Sequence, residues 1–298
     1  PPWRRQNHGI LHHEIAELEA RFYVLHRAGR PFCNIMIVER RGVGLLGHVF
    51  TINKDRRKGA AAALMRRAMD DVRQRGTRWI ALGTDYDTHP FRLYERFGFV
   101  GVEPGSGYMT WCEGEQAAFE DAFFAAGPTS IEPIDWRHWP SSAPLMMRQG
   151  PGVIRCAPLR IRERMSTEGP LLDTLPETPN DPSDASDDRV LVQTETGSVV
   201  GLAAWCADPA APDSVIVDVH CHPNFTDQAG PLLDALPLPT STRRAIAYCD
   251  ASDQIKPEIL RAADFSPLTH LPDHCPADTR RSHRLDVTVW HRLNRSAR

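Results

Sequence analysis

Between Gly47 and Met65 the chain reads GHVFTINKDRRKGAAAALM, an apolar strand that runs through a basic turn directly into an alanine-rich helix. No other stretch restricts the fold as strongly, because a strand that empties into a helix belongs to an α/β layer. The arrangement aims the unpaired amides of the first helical turn, and the positive end of the helix dipole, at the strand's tip. Arg56, Arg57 and Lys58 add charge there, while Gly59, Ala60 and Ala61 let a bulky anion approach the backbone. The segment therefore predicts a pyrophosphate cradle. It lacks the spacings G-x-x-x-x-G-K-[ST] and G-x-G-x-x-G, so it is neither the ATP P-loop nor the dinucleotide fingerprint.

The surrounding pattern extends this layer. Leu11, Ile15, Leu18 and Phe22 stand at helical spacing and predict a helix over 11–28. Apolar runs at Phe32–Val38 and Leu45–Ile52 flank a glycine turn and predict two strands. A helix is expected from Gly59 to Arg75, with Ala61, Leu64, Met65, Ala68 and Val72 as its stripe and Gly76 as its stop. Strand Trp79–Gly83, helix Phe91–Phe97 and strands Phe99–Val102 and Tyr108–Trp111 complete the unit.

A connecting helix over 113–126 and a Gly127–Ser130 linker follow, and the polar, proline-bearing stretch Pro176–Asp187 reads as a mobile loop. Strands at Val190–Thr194, Val199–Cys206, Ser214–His220, Ala245–Asp250 and Leu285–His291, with helices at Gln228–Leu236 and Pro257–Ala263, repeat the earlier order. Ala263-Asp264-Phe265 stands where Phe97-Gly98-Phe99 stands in the first half. A diverged tandem duplication is the simplest account. The expected division is 1–112, a connector over 113–130, and 131–298.

Charge divides along the same line. Residues 1–112 carry a balance of +7 and residues 113–298 one of −10. A basic half suits a nucleotide cofactor, a nucleic acid or a phospholipid. It has no recognition helix or aromatic-basic sheet signature, so no nucleic-acid partner is expected. No run of about 18 apolar residues is present, so no membrane-spanning helix is expected. Nor does Pro1-Pro2-Trp3-Arg4-Arg5 lead into an apolar stretch suited to a secretory signal. Seven scattered cysteines, an odd number, predict reduced thiols and a cytoplasmic location. His220-Cys221-His222, with Cys275 and His283, matches no zinc spacing, and no metal is expected.

Two segments together carry a family resemblance. Arg56-Arg57-Lys58-Gly59-Ala60-Ala61 resembles the acyl-CoA motif [RQ]-x-x-G-x-[GA] of the GNAT N-acetyltransferase superfamily, and Leu93-Tyr94-Glu95-Arg96-Phe97-Gly98-Phe99 resembles its later lY-x-x-x-GF signature. Asn53 departs from the proline of many members, and Ala61 replaces a commoner glycine. The likeness covers roughly residues 32–111, and the rest of the chain weakly.

It implies two GNAT-like α/β (α+β) domains, each a mixed, mainly antiparallel sheet flanked by helices. It further implies acetyl-CoA or another acyl-CoA as donor and a small-molecule or peptide amine as acceptor. The pantetheine arm would pair with backbone groups of Val49, Phe50 and Thr51, and the diphosphate would lie on residues 56–61. The amine would attack directly, with Tyr94 protonating the departing thiolate. His48 is the candidate base, and Glu39, Asp85, Asp87 and His89 are its rivals. A non-catalytic acyl-CoA sensor or scaffold is the competing expectation.

In the second half the matching loop, His222–Gly230, has no arginine or lysine and includes Asp227, and Leu260 stands at the tyrosine position. That domain is expected to be inactive, to cover the first and to shape the acceptor site. Family members place a strand and two helices ahead of the segment matched by 32–52, yet only residues 1–31 precede Phe32. A reduced set of leading elements, a longer N-terminus or the second domain would have to make up the difference.

Overall fold

A computed structural model describes residues 8–179, 181–278 and 283–293. Residues 8–12 are helical (α1), but the helix expected over 11–28 gives way to strand β1 (Glu19–Arg27). Its apolar positions fit period two as well as period 3.6. Ala20 and Phe22 face one core, while Tyr23 and Leu25 face the other. Pairing decides between the periods: β1 runs antiparallel to β2 (Arg30–Arg40) from Glu19↔Glu39 to Arg27↔Arg30. The turn Ala28-Gly29 has positive φ at both residues, 48° and 77°, and so does Arg41-Gly42, 50° and 78°, before β3 (Val43–Thr51). Two-residue turns of that kind match the twist of the strands they join.

From β3 the chain passes a short 3-10 turn, Asn53–Asp55, into helix α2 (Ala60–Gln74). It then lays β4 (Trp79–Gly83) parallel to β3, forms α3 (His89–Glu95), and closes with β5 (Val100–Gly101) and β6 (Tyr108–Cys112). The six strands lie in the order β1-β2-β3-β4-β6-β5. After α4 (Gln116–Phe123), a second sheet of seven strands has the order β14-β15-β13-β12-β11-β10-β7. Starting at β10 (Arg189–Gln193), its path through β11 (Val199–Ala207), β12 (Ser214–Cys221), β13 (Arg244–Asp250), β14 (Ser266–Pro276) and β15 (Arg284–Leu293) repeats the first sheet's order. The parallel pair β12/β13 stands where β3/β4 stands.

The fold is thus mixed α/β, with two mixed sheets flanked by helices. The linker is shorter than expected, because Thr129 and Ser130 already belong to β7 (Thr129–Pro133) and pair with Gln193 and Val192. Within the stretch 176–187, residues 182–184 form a 3-10 turn capped by Asp181, while Asn180 lies outside the described residues.

Alternation along β2 and β3 decides what each face of the first sheet meets. Ile35, Ile37 and Leu46 pack with Leu64, Met65, Ala68, Met69 and Val72 of α2. On the other face Met36, Val38, Leu45 and Trp79 join a core that runs on through Trp136, Trp139 and Met146 to Val190 and Leu202 of the second sheet. Helix α5 (His138–Ser141) crosses β2 and β3 directly. The segment between β7 and β10 therefore covers the Met36 face of the first sheet. One apolar core serves both sheets. Among the described residues no helix is long and apolar enough to cross a membrane.

Candidate functional site

β3 and β4 pair only where Val43–Leu45 meet Trp79–Ala81, and beyond that point they part. A bulge on β3 sits at the parting, where the register with β2 slips between Asn34↔Phe50 and Met36↔Gly47. His48 takes φ 50° there, and its carbonyl accepts a hydrogen bond from Asn34 Nδ2 at 2.5 Å. A non-glycine residue at positive φ marks a bulge that bends its strand. Because β2 takes one side of β3, the other edge of Val49, Phe50 and Thr51 faces the gap. An extended ligand can add to such an edge as a strand would.

At the far end of the gap stands the predicted cradle. Gly59, at φ 82°, caps α2 without a side-chain hydrogen bond, and its Cα faces open space. No acidic residue stands in the first turn, so the amides of Ala60 and Ala61 can serve an anion. Arg56 does more than supply charge: its Nε donates to Thr51 O at 2.9 Å, and its guanidinium lies 5.9 Å from the Phe50 ring centroid. One carbonyl of the expected pairing edge is thereby occupied. Buried Asp55 sits 3.8 Å from Lys58 and 3.2 Å from Arg27. Arg57 takes φ 60° in the same turn.

Tyr94, at the end of α3, is 5% exposed and belongs to the core on the α2 face. Burial, together with the charge of Glu168, holds its hydroxyl well above the usual phenol range. His48 is pushed down by burial, so it is neutral at neutral pH. Its rivals are differently placed. Glu39 bonds Arg75 and Thr77 at the other end of β2, a structural cluster beside the Arg41-Gly42 turn. Asp87, on the exposed loop with Asp85, pairs with Arg92 of α3 at 2.9 Å, and His89 is the first residue of that helix.

Two side chains that no motif singles out as functional stand at the gap. Glu168 comes from the segment between β7 and β10, and its Oε1 lies where a Cβ on Gly47 would be only 2.4 Å away. Tyr108, on β6, lies over Gly83 at the end of β4, and the charge of Glu168 raises its hydroxyl too, after burial. Neither belongs to a motif, and only the tertiary fold brings Glu168 within reach of both tyrosines.

The second sheet has a matching gap, since β12 and β13 pair only at Ser214–Ile216 with Arg244–Ile246. It is filled from within. The amides of Val153 and Ile154, where strand β8 (Ile154–Cys156) begins, each donate to Asp250 Oδ2 at 2.8 Å, and Ala157 N donates to Asp218 Oδ2 at 2.9 Å. Lys256 Nζ donates to Ile154 O at 2.6 Å and lies 2.9 Å from Asp218, whose carboxylate keeps this buried amine protonated. The loop after β12 is roofed as well: His222 stacks on Phe124 at 4.2 Å, and Asn224 Nδ2 donates to Phe124 O at 2.9 Å. His220 is part-buried, and desolvation of its ring lowers its pKa and keeps it neutral. Among the described residues no three metal-ligating side chains converge.

Residues 5–108 match the family model of the acetyltransferase (GNAT) domain. No curated protein matches the chain. Among solved structures, a GNAT-family acetyltransferase from Bacillus anthracis is 10% identical, with a TM-score of 0.41 over 57% of this chain and 97% of its own. The ribosomal-protein-S5-alanine acetyltransferase of Vibrio fischeri is 10% identical, with a TM-score of 0.42 over 59% and 98%. A GNAT-family acetyltransferase from Brucella melitensis in complex with acetyl-CoA is 21% identical, with a TM-score of 0.26 over 31% and 57%.

Proposed function

We propose that this chain, whose residues 5–108 match the family model of the acetyltransferase (GNAT) domain, moves an acyl group, acetyl in the first instance, from coenzyme A to a primary amine by direct attack. The observation that carries this reading is the gap between β3 and β4, which opens on a β3 edge that β4 leaves unpaired and ends on helix amides without a side-chain cap. In this reading the edge of Val49–Thr51 holds the pantetheine arm, and Arg56, Arg57, Lys58 and the amides of Gly59, Ala60 and Ala61 hold the diphosphate. The thioester supplies an activated acyl carbonyl. Tyr94, kept protonated by its surroundings, gives a proton to the leaving thiolate. The acceptor is a small-molecule or peptide amine.

Residues 131–298 are, in this reading, a second, non-catalytic GNAT-like domain. Its support is the repeated strand order and the strand β8 lodged where a donor would lie. Seven free cysteines suit a reducing compartment such as the cytoplasm.

Calorimetric titration with acetyl-CoA is the test. Binding by the parent chain and a loss of at least about tenfold in Gly59→Glu are expected, because the new carboxylate would face the diphosphate at close range. The absence of any heat or thermal shift with the parent chain would end this reading.

A further inference from the structure

Besides His48, the base expected from the sequence, the fold offers a second acceptor for the amine's proton from an unexpected source. Alternation places the Cα–H of Gly47 on the Met36 face of the first sheet, and Glu168 Oε1 sits against it. Tyr94 belongs to the opposite, α2 face. The two groups thus stand on either side of the gap between β3 and β4, close enough for the carboxylate's charge to act on the hydroxyl.

Glu168 is held by its backbone. Trp139 Nε1, on the helix that crosses β2 and β3, donates to its carbonyl at 3.1 Å, and its own amide donates to Ser166 Oγ at 3.2 Å. The neighbouring Thr167 Oγ1 lies 3.2 Å from Ser142 Oγ. The carboxyl itself makes no hydrogen bond or ion pair with any described residue. A part-buried carboxyl with no partner among the described residues is unusual, since burial of an unpaired charge is unfavourable. Burial pushes this one up to about 7.

Resting on the acyltransfer reading, we infer that Glu168, delivered by the second domain, takes the proton of the acceptor amine at the first domain's gap. The ammonium gives one proton to the Glu168 carboxylate, and the freed lone pair attacks the thioester carbonyl carbon. The new C–N bond forms and the C–S bond breaks. The second nitrogen proton replaces the one that Tyr94 gives to the thiolate. Glu168 then releases its proton to water, so the balance is amine cation and thioester to amide, free thiol and one proton.

The site requires an acceptor that reaches the Met36 face as a cation. Titratable groups that face Glu168 are Tyr94 on α3 and Tyr108 on β6, with His48 next to Gly47 on β3 and Glu163 acting on Tyr108 from the same segment; Arg164 faces Glu103 and Glu120 instead. Arg164 Nη1 is committed to the Val102 carbonyl, and Glu163 is itself pushed up by burial. None of them pairs with Glu168.

The test uses the full chain with acetyl-CoA and three amines, putrescine, L-lysine and an unblocked tripeptide, reading thiol release against pH. The parent is expected to gain kcat/KM as pH rises through about 7 and then level off, because a base must be ionised to act. Glu168→Gln is expected to lose about 10²-fold in kcat and this pH limb, with acetyl-CoA affinity and melting temperature retained. Gly47→Ala supplies a second variant that leaves Glu168 in place. Its methyl displaces only the end of a flexible side chain, and the same loss is expected. If Glu168→Gln keeps both the rate and the limb on an amine the parent acetylates, the assignment of Glu168 is overturned and acyl transfer stands. If the parent binds acetyl-CoA but acetylates none of the three, the acyltransfer reading falls, and this inference with it.

Discussion

Tyr94→Phe is expected to slow acyl transfer by about 10²–10⁴-fold while acetyl-CoA binds as tightly as to the parent. Phenylalanine keeps the ring in its place near Phe99, 6.0 Å between centroids, so packing on the α2 face survives. Only the hydroxyl is lost. That hydroxyl is held above the usual phenol range by burial and by the charge of Glu168, and it therefore stays protonated throughout the neutral and mildly alkaline range. A proton that is always present is what a leaving thiolate needs. Initial rates of thiol release, paired with calorimetry on the same preparation, would separate the two effects. Parent-like turnover in the phenylalanine variant would remove Tyr94 from the reaction.

The largest loss of stability is expected at the other gap. Lys256→Met leaves Asp218 buried, with its two backbone donors but without its cation, and breaking a buried pair from one side costs about 3–5 kcal/mol. The same change removes the donor to Ile154 O, so β8 loosens with it. For a chain of this size the melting temperature should fall by about 6–20 °C. Adding Asp218→Asn removes the stranded charge and should recover much of the loss, since an uncompensated ion is worse than none. Thermal melts of the parent, both single variants and the double variant complete the cycle. A Lys256→Met protein that melts with the parent would mean that the pair contributes nothing.

How much of this was legible before the fold was known follows from range. The strand, turn and helix around 56–61 and the helix that carries Tyr94 could be placed because each is written in consecutive residues. β1 was misread because Leu18 and Phe22 suit either period, and the pairing with β2 that settles the matter joins residues up to twenty positions apart. Glu39 looked as eligible as any carboxylate until Arg75 and Thr77 claimed it. Glu168 lies in Ser166-Thr167-Glu168-Gly169-Pro170, which has no motif, and its placement depends on α5 crossing a sheet built from the other half of the chain. A sharper signal was available in the second half. Asp218 stands inside the apolar run SVIVDVHC, where a lone carboxylate must find a partner, and Lys256 is one of only three lysines.

The apolar core shared by the two sheets has a consequence for anyone wishing to use half of the molecule. A chain cut after Cys112 would carry every residue of the cradle and Tyr94, yet would present Met36, Val38, Leu45 and Trp79 to water as a bare sheet face. Such a fragment should clump rather than work. It can be rescued only by restoring its cover, supplied as the missing half or as redesigned polar surface.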